Sequence, residues 1–157
     1  MQDTYENKML EAFIDNEDKT LWYQLSFSRF NINGVDTMKW NWSWWAFGGG
    51  FLYLLYRKQY LASLILLFMS MTIGMIPSMG FALAILAGGL APYFVYKGYK
   101  SKLAEIESTV EDEQTRIATM REVGGYHQWV VWVYIICVTM ILFGFVSMVM
   151  IPSMISF

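Results

Sequence analysis

Chemically reactive side chains are scarce in this sequence of 157 residues. It contains one cysteine, Cys137, and one histidine, His127, which lie ten positions apart. A lone cysteine excludes an internal disulfide, and a catalytic site needs several titratable groups that converge. A haem or metal ligand role for His127 is the less favoured alternative to an interfacial polar residue. The sequence therefore predicts a protein that is not an enzyme and that has no metal or cofactor.

Charge is also scarce, and its placement indicates the class of protein. The net charge of −2 offers no basic face for nucleic acid. Residues 59–96 and 123–157 contain no Asp, Glu, Lys or Arg. Each run is longer than the ~18 apolar residues that indicate a membrane-spanning helix. The absence of ionisable residues from these runs also argues against ion-coupled transport. We predict an all-α membrane protein whose first partner is the lipid bilayer.

The charge-free runs predict three transmembrane helices. The first two span 60–76 and 79–96 and form a hairpin within 59–96. The third lies in 126–157, where Pro152 would end it before a short outer tail. Basic residues at both ends of the hairpin predict a cytoplasmic N-terminus, because Lys and Arg mark the cytoplasmic side. The second span carries small residues at every fourth position, a spacing that favours close helix packing: Gly80, Ala84 and Gly88.

Aromatic residues form a belt in residues 40–58, directly before the hairpin. The uncharged part, 43–56, would be a helix of about 21 Å, shorter than the ~30 Å hydrocarbon core. The three glycines at 48–50 predict a break in it. We expect a re-entrant or interfacial helix, and a helix that crosses the bilayer is the alternative. The predicted membrane-interface anchors are Trp40, Trp42, Trp44, Trp45, Tyr56, Arg57, Lys58, Tyr60 and Trp129. Anionic lipid headgroups are an alternative role for the two basic residues.

The polar remainder consists of residues 1–39 and 97–125, both predicted to be cytoplasmic. Apolar spacing predicts two short amphipathic helices over 3–14 and 21–30. Residues 97–125 predict a helical hairpin whose second helix is capped by Ser108. One long helix with heptad spacing is the alternative. The apolar residues expected to face each other, and to offer a docking surface for a partner, are Leu103, Ile106, Ile117 and Met120.

Several short motifs follow one another in an order that resembles a known family. They are Leu10-Glu11-Ala12-Phe13-Ile14, Trp22-Tyr23 to Phe30, Lys39-Trp40-Asn41-Trp42, Tyr56-Arg57-Lys58-Gln59-Tyr60, Tyr93 to Lys102, and Gly124-Gly125. The order resembles the DUF2628 family of small bacterial inner-membrane proteins, over roughly residues 9–127. Gln59 departs from the methionine usual in the family, and residues 43–48 depart from its Phe-rich run. The resemblance implies an inner-membrane location and implies no activity.

Together these features predict a non-enzymatic inner-membrane protein. Small-residue helix faces and abundant aromatic residues favour a structural or accessory subunit of a larger membrane assembly. Self-association is the other way to cover such faces. A small homo-oligomeric channel is the alternative function, since Gly48–Gly50 would place irregular backbone at membrane depth, where it is tolerated beside water.

Overall fold

The computed structural model describes residues 2–32 and 34–155, and within them the chain is almost entirely helical. In chain order the elements are α1 Gln2–Ile14, α2 Glu17–Phe30, β1 Asn31–Ile32, β2 Val35–Asp36, α3 Trp44–Gly49, α4 Phe51–Tyr56, α5 Tyr60–Thr72, α6 Pro77–Thr109, α7 Glu113–Val123 and α8 Gln128–Ile155. The strands form a small antiparallel hairpin that pairs Asn31 with Asp36. The chain divides into two compact units, Met1–His127 and Gln128–Phe157. The prediction of an all-α fold is confirmed.

The two N-terminal helices bury the apolar faces that their spacing predicts. On α1, Met9, Phe13 and Ile14 are each at most 2% exposed. On α2, Tyr23 and Phe30 are buried in the same cluster. The side chain of Asn16 accepts a hydrogen bond from the Lys19 amide at 3.2 Å and so caps α2.

Helix α6 belongs to two environments. Its first part carries exposed apolar side chains such as Phe81 and Leu86. Beyond Ala91 it enters the core that α1, α2 and α7 surround, where Tyr96 and Tyr99 are buried. The sequence predicted a span over 79–96 and a helix that continues over 98–107. The structure has one continuous helix of 33 residues across both, Pro77–Thr109.

Two helices, not three, are long and apolar enough to cross a membrane by length and composition among the described residues. They are α6 and α8. The predicted first span becomes α5, which has only 13 residues. Its rise of about 20 Å is short of a hydrocarbon core of ~30 Å. The prediction of three full-length spans is therefore corrected to two candidates and one shorter apolar helix.

The predicted hairpin after the spans is present as the end of α6 and α7, but two details of its prediction are wrong. Asp112, not Ser108, caps α7, with its carboxylate 2.8 Å from the Thr115 amide. Ser108 instead lies in the last turn of α6 and donates to the Glu105 carbonyl. The residues predicted to dock a partner belong to the core of their own chain: Ile106 and Met120 are buried, and Leu103 and Ile117 pack against the same cluster.

The second unit consists of α8. Large apolar side chains along it are exposed, and the most exposed are Met148 at 77% and Phe143 at 74%. The helix continues past Pro152 to Ile155, so the prediction that Pro152 ends it is wrong. The last two residues of the predicted outer tail lie outside the described residues, as does Asn33.

Candidate functional site

An extended segment, Trp40 to Ser43, lies along the middle of α6 and is held there by its backbone. The Ser43 amide donates to the Gly88 carbonyl at 2.8 Å, and the Asn41 amide donates to the Gly89 carbonyl at 3.0 Å. In an α-helix the carbonyl of Gly88 would accept from residue 92, which is a proline without an N–H. Ser43 therefore supplies the donor that Pro92 lacks.

The two glycines also make room for the indole rings. A Cβ on Gly88 would lie 2.9 Å from the Trp42 ring and 3.0 Å from the Phe47 Cβ. A Cβ on Gly89 would overlap the Trp40 ring. The Trp-rich segment can lie this close to α6 because residues 88 and 89 are glycines, which have no Cβ.

The other small residues of the predicted packing stripe also face their own chain. A Cβ on Gly80 would lie 2.8 Å from the carbonyl oxygen of Gly74, at the turn between α5 and α6. Ala84 lines a cleft of about 280 Å³ between the aromatic segment, α5 and α6. The cleft is lined by Phe47, Gly48, Gly49, Gly50, Phe51, Leu66, Ser70, Gly74, Gly80, Leu83, Ala84 and Ala87. The stripe therefore receives the aromatic segment and the α5–α6 turn.

Asn41, between the two tryptophans, connects this segment to α2. Its amide nitrogen donates to the Ser26 hydroxyl, and its oxygen accepts from Arg29 at 3.3 Å. Asn41 and Ser26 are both buried, where a polar group needs a partner. The indole N–H of Trp42 is buried without a hydrogen-bond partner among the described residues.

We expect Gly88→Ala to lower the free energy of unfolding by about 1–2 kcal/mol, because the added methyl group overpacks the contact with the Trp42 ring. The same substitution should cost less in a Trp42→Leu background, where the ring contact is absent and only the contact with the Phe47 Cβ remains. Thermal unfolding of the four chains of this double-mutant cycle measures the coupling. Equal costs in both backgrounds would contradict the contact.

A second group of buried contacts surrounds the Arg57 side chain, and the burial of this side chain differs from the prediction. It was predicted to anchor the chain at the membrane interface, yet it is 2% exposed. Its Nε donates to the Tyr23 hydroxyl at 3.0 Å, and its Nη1 donates to the Ile14 carbonyl at 3.1 Å. Its guanidinium carbon lies 4.6 Å from the centroid of the Tyr23 ring. Arg57 is therefore an internal residue and not the exposed interface anchor that was predicted.

The buried charge of Arg57 is balanced by a helix end. Among the described residues no carboxylate lies within 4.0 Å of it. The Ile14 carbonyl that it contacts belongs to the last turn of α1, where the helix dipole carries partial negative charge. The Tyr23 hydroxyl continues the network to the Tyr53 hydroxyl at 2.9 Å. This arrangement joins α1, α2 and α4 at one point.

The end of α7 is held in the same way by two lysines. Lys102 Nζ donates to the Val123 carbonyl at 2.6 Å, and Lys58 Nζ lies 3.4 Å from the Glu122 carbonyl. The Gly125 amide then donates to the Phe13 carbonyl at 2.8 Å. Three cations thus lie at the C-terminal ends of two helices, a placement that the dipole favours.

Most of the residues of this candidate site lie in a region that matches a family of known proteins. A family model described as "Protein of unknown function (DUF2628)" matches residues 7–99, more than half of the chain. The chain belongs to the DUF2628 family. No curated protein and no solved structure shows significant similarity to it. The matched residues of this DUF2628 chain contain both the Trp40–Ser43 segment and Arg57.

The remaining predicted interface residues of the DUF2628 chain lie mostly on its surface. Tyr56 is half-buried and stacks on Tyr126 with ring centroids 5.0 Å apart. The Tyr60 hydroxyl lies 2.6 Å from His127 Nε2. Side chains more than half exposed are Trp40, Trp44, Trp45, Tyr60 and Trp129.

Sequence reasoning missed the partners that give the DUF2628 motifs their structural role. The amphipathic helix over 21–30 was predicted without a polar role for Tyr23. The Tyr23 hydroxyl accepts a hydrogen bond from Arg57 Nε. Lys19 was not singled out, yet its Nζ lies 5.7 Å from the Trp45 ring centroid and 5.9 Å from that of Tyr56. One signal was available for Ser43, because a proline four residues after Gly88 leaves a free carbonyl.

Proposed function

We propose that this DUF2628 protein is a non-enzymatic integral protein of the bacterial inner membrane. The observation that carries the proposal is the surface of α8. A helix of 28 residues without a charged side chain exposes large apolar groups, including Phe143, Phe145 and Met148. Exposed apolar area of this extent is unfavourable in water and marks membrane or protein contact.

The proposed placement sets α8 and the apolar part of α6 across the bilayer. Helix α5 enters it beside α6, with Leu61, Leu64 and Phe68 exposed toward the lipid. Helices α1, α2 and α7 lie in the cytoplasm together with the N-terminus. The lysines that follow the apolar part of α6, at positions 97, 100 and 102, agree with that side.

In this placement the Trp-rich segment is interfacial or re-entrant. Helices α3 and α4 have six residues each and are separated at Gly50, whose φ is +51°. Each rises only about 9 Å, so neither crosses a hydrocarbon core. Exposed Trp44 and Trp45 at the start of α3 suit the membrane–water interface.

The role that this geometry supports best is a structural or accessory subunit of a larger membrane assembly. The family motifs are used within the chain, where they hold α1, α6 and α7 together. What remains available to other subunits, or to a second copy, is the apolar surface of α5 and α8.

The native mass of the chain, extracted from its own membrane in mild detergent with all co-purifying proteins identified, tests this role. We expect a defined complex larger than the 18.3 kDa chain, and resistance of the chain to alkaline carbonate extraction. A monodisperse monomer without partners would contradict the accessory role. Release by carbonate would contradict the membrane placement.

A small homo-oligomeric channel is the second candidate, and the cleft of about 280 Å³ at Gly48–Gly50 favours it. Backbone groups of an interrupted helix can face water at membrane depth. The purified chain alone, reconstituted in liposomes, would then conduct ions. An accessory subunit gives no flux in the same assay.

A further inference from the structure

Lys19 differs from Arg57, Lys58 and Lys102 because no residue that the structure describes accepts a hydrogen bond from its ammonium. Arg57 donates to Tyr23 and Ile14, and Lys58 and Lys102 lie against the end of α7. The Lys19 ammonium instead lies beside the rings of Trp45 and Tyr56. In the described part of the chain it has no hydrogen-bond acceptor, although an ammonium offers three donors.

Within the described residues, neither Lys19 nor Arg57 forms an ion pair with a carboxylate. The guanidinium carbon of Arg57 lies 5.3 Å from the Tyr56 ring centroid, and Lys19 Nζ lies 5.9 Å from the same point. Two cations therefore share one aromatic ring. Partial burial and then the charge of Arg57 lower the pKa of Lys19, and the neighbouring Asp18 opposes them without reversing the direction.

The surroundings of Lys19 point to a lipid as the source of the missing anion. Trp45 is 71% exposed and Trp44 is 72% exposed. Exposed indoles are typical of headgroup depth, where anionic lipids attract basic side chains. A phosphate at this point would accept from the ammonium and would face the positive potential of Arg57.

We propose that Lys19, between Trp45 and Tyr56 and beside the buried Arg57, binds the phosphate of an anionic phospholipid headgroup. This inference rests on the membrane placement proposed above. The phosphate accepts hydrogen bonds from the ammonium, and the two rings limit the movement of the lysine side chain. Arg57 contributes through its charge, because its side chain is buried and is only 2% exposed.

The test uses the purified full chain in neutral detergent, titrated with phosphatidylglycerol or with phosphatidylcholine, with bound lipids counted by native mass spectrometry. We expect tighter binding of phosphatidylglycerol, and about fivefold weaker binding after Lys19→Gln. The matched control is Lys39→Gln, which removes the same charge from an exposed residue of the Trp-rich motif. It should retain the preference of the wild-type chain.

Four results would overturn the proposal. The first three are equal binding of the two lipids, unchanged binding after Lys19→Gln, and equal losses in the two lysine variants. The fourth is displacement of the lipid by millimolar inorganic phosphate, which would assign the site to a soluble anion. Lys19→Arg keeps the charge and should keep the preference. If Lys19→Gln does not fold, the lipid contrast and the phosphate competition in the wild-type chain still decide. Carbonate extraction tests the membrane placement separately.

Discussion

Replacing Arg57 by alanine is expected to lower the free energy of unfolding by about 3–5 kcal/mol, the largest loss of any substitution considered for this chain. The change removes the donors to the Ile14 carbonyl and the Tyr23 hydroxyl, both in a buried region. Each buried acceptor left without a donor costs about 1–3 kcal/mol, and the vacated volume adds to that cost. Thermal unfolding in detergent, followed by circular dichroism, measures the loss.

The neighbouring lysine provides the control for Arg57. Lys58 follows Arg57 in the turn after α4. Its Nζ lies 3.4 Å from the Glu122 carbonyl, in an exposed contact. Lys58→Ala should therefore cost less than about 1 kcal/mol. Arg57→Lys should fall between the two, because it keeps the charge and loses the planar fork. Equal losses from Arg57→Ala and Lys58→Ala would show that the buried guanidinium does not hold α1.

Replacing Gly124 by alanine is expected to cost about 2–3 kcal/mol through overpacking. A Cβ at this position would lie 2.8 Å from the Cα of Phe13 and 2.7 Å from the Met120 carbonyl oxygen. Both neighbours are backbone atoms, so a side-chain rotation cannot relieve the contact, and α7 must move away from α1. The melting temperature should fall by roughly 5–10 °C.

Gly144 is a matched control for this substitution. It is a helical glycine of α8, and a Cβ added there meets no atom within 4 Å. Gly144→Ala should leave stability unchanged or raise it by up to about 1 kcal/mol, since alanine favours helix. A loss at Gly144 as large as that at Gly124 would mean that close packing on α1 is not the cause.

The sequence was a reliable guide where periodicity alone decides the structure. The faces of α1 and α2 were predicted from spacing, and Phe13, Phe27 and Phe30 are buried as expected. The break at Gly48–Gly50 was also predicted, because glycine disfavours helix. These features depend on a few adjacent residues and need no knowledge of distant partners.

The sequence was a poor guide where one residue serves a distant partner. Arg57 looked like an interface residue, because an arginine next to tyrosine after an apolar run has that pattern. Its burial depends on the end of α1, 43 positions earlier. Ile106 and Met120 looked available for a partner, and they belong instead to the same core cluster as residues of α1 and α2. The apolar span in α6 was predicted to end at residue 96, because charge begins at Lys97, and the backbone continues as one helix to Thr109.

The unbroken course of α6 has a mechanical consequence. With a rise of about 50 Å, this helix is one continuous element from Pro77 to Thr109. A bilayer that changes thickness alters the tilt of the helices within it. Tyr96, Tyr99 and Ile106 lie on the same helix inside the core formed with α1, α2 and α7. In the membrane placement proposed above, a change in the tilt of α6 would therefore also move the core that α6 forms with α1, α2 and α7.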